Sequence, residues 1–438
     1  MTPIRSSQTR RWAALAILGG VGFLGFLIFQ LLGLLIEPVK QDLGVTDTQL
    51  GLLNGFGIAI FFACAAFPIG WLADRYDRRL ILAACLLVWS AATVACGLAQ
   101  SFTGYAAGVV AIAIGESAMI PIVYAIIPRI FTSDERAAAN AIVYAILAAA
   151  GGLGLLLGGA ALGWIEALRG PDTLLGTTAA WRLLFVLTGL VGLPMALLLV
   201  VVPRSAASGA DAVTSARPSF GGFLRANLVT IFGVYLATSL YSVGWGTLYF
   251  WTPAMLGRAL GYSPARAGTD AGLVVLAATA IGIALAWWLM RTRLPRLGPG
   301  GALTLARWGC WIALPGMIGL AFAPNVAMFM AMLGLVAIGL FFSTALAPTI
   351  LQDIAPNVFS SRIIALYPLA LMLPRAVVPS LAGALSDWGG ASATSLVYSV
   401  CLVSGLTLPL GIVLLRWIEP AFARLATRNR LLDSAATP

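Results

Sequence analysis

Long apolar runs, separated by short polar segments, recur from one end of this sequence to the other. The first, Trp12 to Ile36, is about 25 residues long, against ~20 needed to cross a hydrocarbon core and ~7–15 in a signal-peptide core. It therefore reads as a retained membrane span. The same reading along the chain gives twelve spans, at 12–36, 49–72, 80–99, 102–128, 138–163, 183–202, 226–251, 268–290, 301–322, 326–352, 362–386 and 392–418. The runs are continuous and do not alternate with period two, which excludes a β-barrel. Of the 438 residues, 60% are hydrophobic and 10% charged, where soluble domains carry roughly 25% charged residues. A soluble enzyme, a disordered chain and a disulfide scaffold are excluded.

The net charge of +10 raises the question of nucleic acid, and position answers it. The basic residues are Lys40 and otherwise arginines, and they sit in the short segments between apolar runs rather than in a basic domain. That is the pattern of topology determinants beside anionic headgroups. With the N-terminus in the cytoplasm, nineteen of them fall on the cytoplasmic side, including Arg5, Arg75, Arg129, Arg204, Arg296 and Arg430. Five fall opposite, at Lys40, Arg169, Arg182, Arg258 and Arg266. Both termini are expected inside, in a bacterial inner membrane. Arg307 and Arg375 lie within spans, and Arg307 is near enough to an end to snorkel. Cys64, Cys85, Cys96, Cys310 and Cys401 lie in apolar runs without ligand spacing, and histidine is absent. No metal, no cofactor and no nucleotide-binding loop are expected.

The longest polar connection, 203–225, is rich in Ser, Ala and Arg and reads as a cytoplasmic linker. It divides a six-helix bundle at 1–202 from a second at 226–418, and 419–438 form a cytoplasmic tail. The halves echo one another: Trp71-Leu72 before an Arg-rich loop recurs as Trp288-Leu289 before Arg291 to Arg296. Pro121 with Arg136 recurs as Pro348 with Arg362. Two six-span repeats make a secondary-transporter plan.

Between spans 2 and 3 stands Gly70-Trp71-Leu72-Ala73-Asp74-Arg75-Tyr76-Asp77-Arg78-Arg79. This resembles the signature loop of the major facilitator superfamily, with Asp77 where that family usually has Gly. The resemblance implies a gate built on Gly70, Asp74, Arg75, Arg78 and Arg79, with Gly70 admitting a neighbouring helix and Asp74 accepting from arginine. The stretch from Glu37-Pro38 to Leu53, with Gly115-Glu116-Ser117, Pro121 and Glu135-Arg136, resembles the spinster-like branch. That branch carries lysolipids, sphingoid phosphates and other amphiphiles. The chain departs from it where an acidic-basic pair in span 1 is replaced by Ile28 and Phe29, and an arginine in span 4 by Val109.

Glu116 lies deep in span 4, where a carboxylate costs ~2.5–3.5 kcal/mol on insertion scales unless it faces a cavity or partner. It is the proton-coupling candidate. Arg375, mid-span 11 behind Pro374, is the candidate cation for an anionic substrate, or a resting partner for Glu116. Tyr241, Trp245 and Tyr249 recur every four residues on one face of span 7. In this superfamily spans 1, 4, 7 and 10 line the cavity, so Tyr241 and Trp245 are cavity candidates. Gln30, Asn54, Tyr124, Ser343 and Thr344 are weaker polar ones.

The expectation is an all-α, twelve-helix major facilitator fold. It would act as a monomeric carrier of a small organic solute, amphiphilic or anionic, by alternating access, with a proton as the candidate coupling ion. Efflux of drugs or metabolites, or a non-transporting receptor on the same scaffold, are the alternatives. An intramembrane enzyme lacks its residues: with no histidine and no second mid-span acid beside Glu116, no catalytic pair is available.

Overall fold

The computed structural model of the chain describes residues 8–117, 119–169, 178–203, 220–356 and 359–435. Most of the expected linker, 204–219, lies outside them. Among the described residues there is no strand. Six long helical segments precede the linker: α1 (Gln8–Leu34), α2 (Asp47–Arg75), α3 (Arg78–Leu98), α4 (Phe102–Ile130), α5 (Ser133–Leu168) and α6 (Ala180–Leu198). Six follow it: α7 (Leu228–Leu260), α8 (Pro264–Thr292), α9 (Gly301–Ala321), α10 (Val326–Asp353), α11 (Ser360–Trp388) and α12 (Ala393–Ala435). Each of the twelve overlaps one expected span. Eleven are long and apolar enough to cross a membrane, and α11 occupies the position of the eleventh expected span.

Local sequence sets where these helices start. Thr46 and Gln49 close a reciprocal capping box at α2. Asp77, Ser101 and Asn325 cap α3, α4 and α10 through their side chains. Three helices are not regular. α2 passes through a π-turn at Leu53–Gly57. α4 consists of Phe102–Glu116 and Met119–Ile130, with Glu116 at the end of the first piece. α10 breaks after Ala345 and resumes with Pro348 in its next first turn.

By contacts the chain forms two compact units. Unit 1 comprises residues 1–212 with Phe250–Leu273, and unit 2 comprises Val213–Tyr249 with 274–438. In unit 1, α3 packs on α4 and α6, and α1 on α5. Tyr105, Trp181 and Phe185 form an edge-to-face triad with centroids 6.0–6.2 Å apart. The start of α8 lies backbone to backbone on α5: a Cβ at Gly272 would stand 2.4 Å from Leu156 N and 2.8 Å from Gly152 O. Gly268 and Gly272 thus make a small-xxx-small contact of the kind that draws membrane helices together. In unit 2, α9 packs on α10 and α12, and α11 on α12. Large apolar side chains remain exposed, Phe67 at 82% and Leu197 at 73% among them, as expected where the solvent is lipid.

Candidate functional site

The α2–α3 loop is held by its own charges. Arg78 donates to Asp74 Oδ1 at 3.0 Å and to the carbonyls of Ala73 and Ala125, both at 3.3 Å, which ties it to α4. Asp77 accepts from Arg79 N at 3.1 Å as the cap of α3, and its carboxylate meets the Arg79 guanidinium at 2.8 Å. Arg79, buried, also donates to the carbonyls of Val200 (3.1 Å) and Val202 (2.6 Å) at the end of α6. The residue that departs from the family pattern, Asp77, therefore has a local task. Arg75 lies over the Trp71 ring at 3.7 Å. Asp74 itself is 74% exposed. At Gly70 a Cβ would meet nothing within 4 Å.

Beside this loop, Arg11 of α1 pairs with Glu135 of α5 at 2.6 Å, and Glu135 also accepts from Thr132 Oγ1 at 3.1 Å. In unit 2 the Trp–Arg stack recurs, with Arg291 over Trp287 at 4.1 Å. By this stack the counterpart of Trp71 is Trp287, one position before the Trp288 that echoes it in the sequence. Arg307, two turns into α9, reaches Glu419 of α12 at 2.5 Å, where Thr304 also donates at 2.6 Å.

Glu116 is 5% exposed. Its carboxylate rests against Gly25 of α1, where an added Cβ would stand 3.3 Å from Oε1. The niche exists because residue 25 has no side chain. Gln30, half-buried, packs its stem against Gly154 of α5. Asn54 sits within the π-turn of α2 and, with Tyr105 and Val109, lines a niche of about 10 Å³, room for one water at most. Tyr124 is half-buried on α4.

In unit 2, Tyr241 is fully buried and its hydroxyl donates to Ser343 O at 3.4 Å. The Ser343 hydroxyl donates to Ala306 O (2.8 Å) and Gly339 O (3.0 Å), in the α9–α10 contact. Thr344 bonds back to Leu340 O. Trp245, half-buried, stacks on Tyr249 with centroids 5.0 Å apart and meets Phe341 edge-on at 5.5 Å. Arg375 is half-buried on α11. Tyr241 and Ser343 thus meet, and Trp245 is the more accessible of the aromatic pair.

Sequence reasoning missed a charge cluster at the α1–α2 end of unit 1. Arg258 of α7 donates to Glu37 Oε1 at 2.6 Å and to Asp47 Oδ2 at 2.6 Å. Lys40 reaches Asp47 Oδ1 at 2.6 Å, and Asp47 is wholly buried. Nearby, Asp42 accepts from Trp181 Nε1 (2.9 Å) and Arg182 (2.8 Å). The signal available was four charges flanking apolar runs, which reads equally well as a topology marker. Outside the spans, the Tyr262 hydroxyl donates to Asp270 at 2.6 Å, and that bond first, burial second, raises its pKa above the usual phenol value.

Residues 18–379 match the sequence profile of the Major Facilitator Superfamily. An MFS-type efflux pump of Mycolicibacterium smegmatis is 30% identical over 313 residues, which cover 71% of this chain and 67% of the pump. The mouse sphingosine-1-phosphate transporter SPNS2 is 31% identical over 239 residues, covering 52% of this chain and 40% of that protein. The fold is similar to the crystal structure of a bacterial homolog of the human lysosomal transporter spinster. The TM-score is 0.78, with 24% identity and coverage of 98% and 99% of the two chains.

Proposed function

Because the chain belongs to the Major Facilitator Superfamily, we propose that it moves an amphiphilic or anionic organic solute by alternating access, with Glu116 as the proton-coupling carboxyl. It is a multi-pass integral membrane protein and a transporter of organic solutes, not an enzyme. In this reading it works as a monomer in a bacterial inner membrane, with both termini cytoplasmic. The six spans before the linker and the six after it act as the two moving halves. The loop of Gly70, Asp74, Arg75, Arg78 and Arg79 serves as a gate latch. Glu37, Asp47 and Arg258 are ion pairs at the opposite gate.

The observation that carries the coupling role is the burial of Glu116 against Gly25 at the end of a helical piece. A carboxyl so placed is the group that would take up and release the coupling proton. Likeness to a protein whose name specifies sphingosine-1-phosphate supports an amphiphilic, anionic solute. Arg375 supplies the cation such a solute requires, because an unpaired anion in low dielectric is costly. Efflux is the second reading, favoured by the 30% identity to an MFS-type efflux pump.

Proteoliposomes with an imposed pH gradient test this. Glu116→Gln keeps size and hydrogen bonding but cannot titrate, so gradient-driven accumulation stops while exchange between substrate pools continues. Accumulation at the native rate would remove Glu116 from the coupling step. In the same vesicles Arg375→Ala weakens anionic solutes at least about tenfold more than neutral ones, the 1.4 kcal/mol step expected for one charge-assisted contact. Equal loss for both classes would make Arg375 a helix staple.

A further inference from the structure

Unit 2 contains a cavity of about 760 Å³ that is lined by none of the candidate site residues above. It lies where α9 ends, α11 ends and α12 begins. One wall is the α9 stripe Leu314, Ile318 and Phe322, and the facing wall is the α12 stripe Tyr398, Leu402 and Leu406. Both stripes repeat every four residues, so each is a single helix face. Gly405 and Met317 meet at the floor, where a Cβ on Gly405 would stand 3.2 Å from Met317 Cγ. The open side is apolar: Ile318 is 57%, Leu402 55% and Leu406 52% exposed.

The rim has different chemistry. Ser392, Thr394 and Ser395 lie there with Trp388, which is 89% exposed. The Ser395 hydroxyl is committed to Ser386 O at 2.6 Å. The Ser392 hydroxyl accepts from Ser395 N at 3.1 Å, which leaves its own proton to donate. Among the described residues no lysine or arginine lines the groove.

Depth and surroundings select the occupant. From Ser395 to Leu406 the wall descends about 16 Å at 1.5 Å per residue, half of a ~30 Å hydrocarbon core. The groove is one leaflet deep, with a hydroxyl and tryptophan rim at the level where headgroups sit. Apart from Tyr398 and Ser399 these walls offer water no polar partners, so hydrocarbon fills them. We propose that the groove holds one acyl chain of a bilayer phospholipid from that leaflet. Its ester and phosphate oxygens take donors from Ser392 and Thr394. With no basic side chain at the rim, a zwitterionic headgroup is preferred to an anionic one.

The full-length protein in phosphatidylethanolamine/phosphatidylglycerol nanodiscs tests this with a phosphatidylethanolamine that carries a photoactivatable diazirine in one chain. Cross-links, mapped by mass spectrometry, are expected to concentrate on Leu314–Phe322 and Tyr398–Leu406. Ala321→Trp and Leu402→Trp each fill the groove. Displacing about two methylenes at ~0.8 kcal/mol each lowers labelling there about tenfold. Val413→Trp, on α12 but outside the groove, leaves it unchanged. If one filled variant does not fold, by its thermal melt, the other decides. Equal labelling of Phe67, Val413 and the groove, or labelling indifferent to both filled variants, would overturn the site. A phosphatidylglycerol probe of the same chains that labels as well would overturn the headgroup preference.

Discussion

Two aspartates show how environment divides the roles of one residue type. Asp47 is wholly buried and bonded to Lys40 and Arg258, whereas Asp74 is 74% exposed and holds Arg78 at 3.0 Å. Removing one partner of a buried pair leaves the other charge uncompensated, at a cost of roughly 3–5 kcal/mol. Arg258→Met should therefore lower the melting temperature of the detergent-solubilised protein clearly, and adding Asp47→Asn should restore part of it. A native melting temperature for Arg258→Met alone would show the cluster to be energetically neutral. An exposed pair is worth only about 0–1 kcal/mol, so Asp74→Asn should leave expression and melting unchanged. If the loop is a latch, transport in that variant should still fall by at least about tenfold. Full transport would reduce the loop to a topology signal.

At the scale of elements, what matters is how closely helices approach and where they break. α8 meets α5 through Gly268 and Gly272, with no room for a side chain. Gly272→Leu should cost more than the ~1–3 kcal/mol typical of overpacking, because the obstacle is the Leu156 backbone rather than a flexible side chain. Gly246 of α7 is the control, since a Cβ there would meet nothing within 4 Å. Gly246→Ala should be neutral or stabilise the helix by up to about 1 kcal/mol. Equal melting temperatures for the two variants would refute the close-contact account. The breaks are equally local: the π-turn of α2 holds Asn54, and the first piece of α4 ends on Glu116. Irregular turns of this kind recur at functional positions in helices. A hydropathy profile registers none of them, because they alter backbone geometry without altering residue type.

For the molecule as a whole, the charge distribution makes a direct prediction. Nineteen basic residues against five predict that both termini lie in the cytoplasm. Reporter fusions after Arg204 and after Arg430 should both report the cytoplasmic side, and a periplasmic signal at either would contradict the twelve-span topology. A Trp–Arg stack stands on each side of the linker, Arg75 over Trp71 and Arg291 over Trp287. The second lacks an aspartate at the place of Asp74, so the two loops share a stack and not a charge pair.

The number of spans, their approximate ends and the helical class follow from the sequence alone. Apolar runs of membrane length admit one backbone-satisfying structure, the helix. The loop between α2 and α3 was legible for a related reason: its partners, Asp74 with Arg78 and Asp77 with Arg79, are four and two residues apart. Folding decided everything with distant partners. Arg258 finds Glu37 and Asp47 across more than two hundred residues. Glu116 finds its niche at Gly25, and Ser343 gives its hydroxyl to α9. A side chain's partners depend on the rotation and crossing of whole helices, set by packing between faces that are all apolar. Periodicity says little about which face turns inward when lipid and protein are equally greasy. The same limit hid the groove between α9 and α12, whose walls are ordinary apolar stripes until the two helices stand apart.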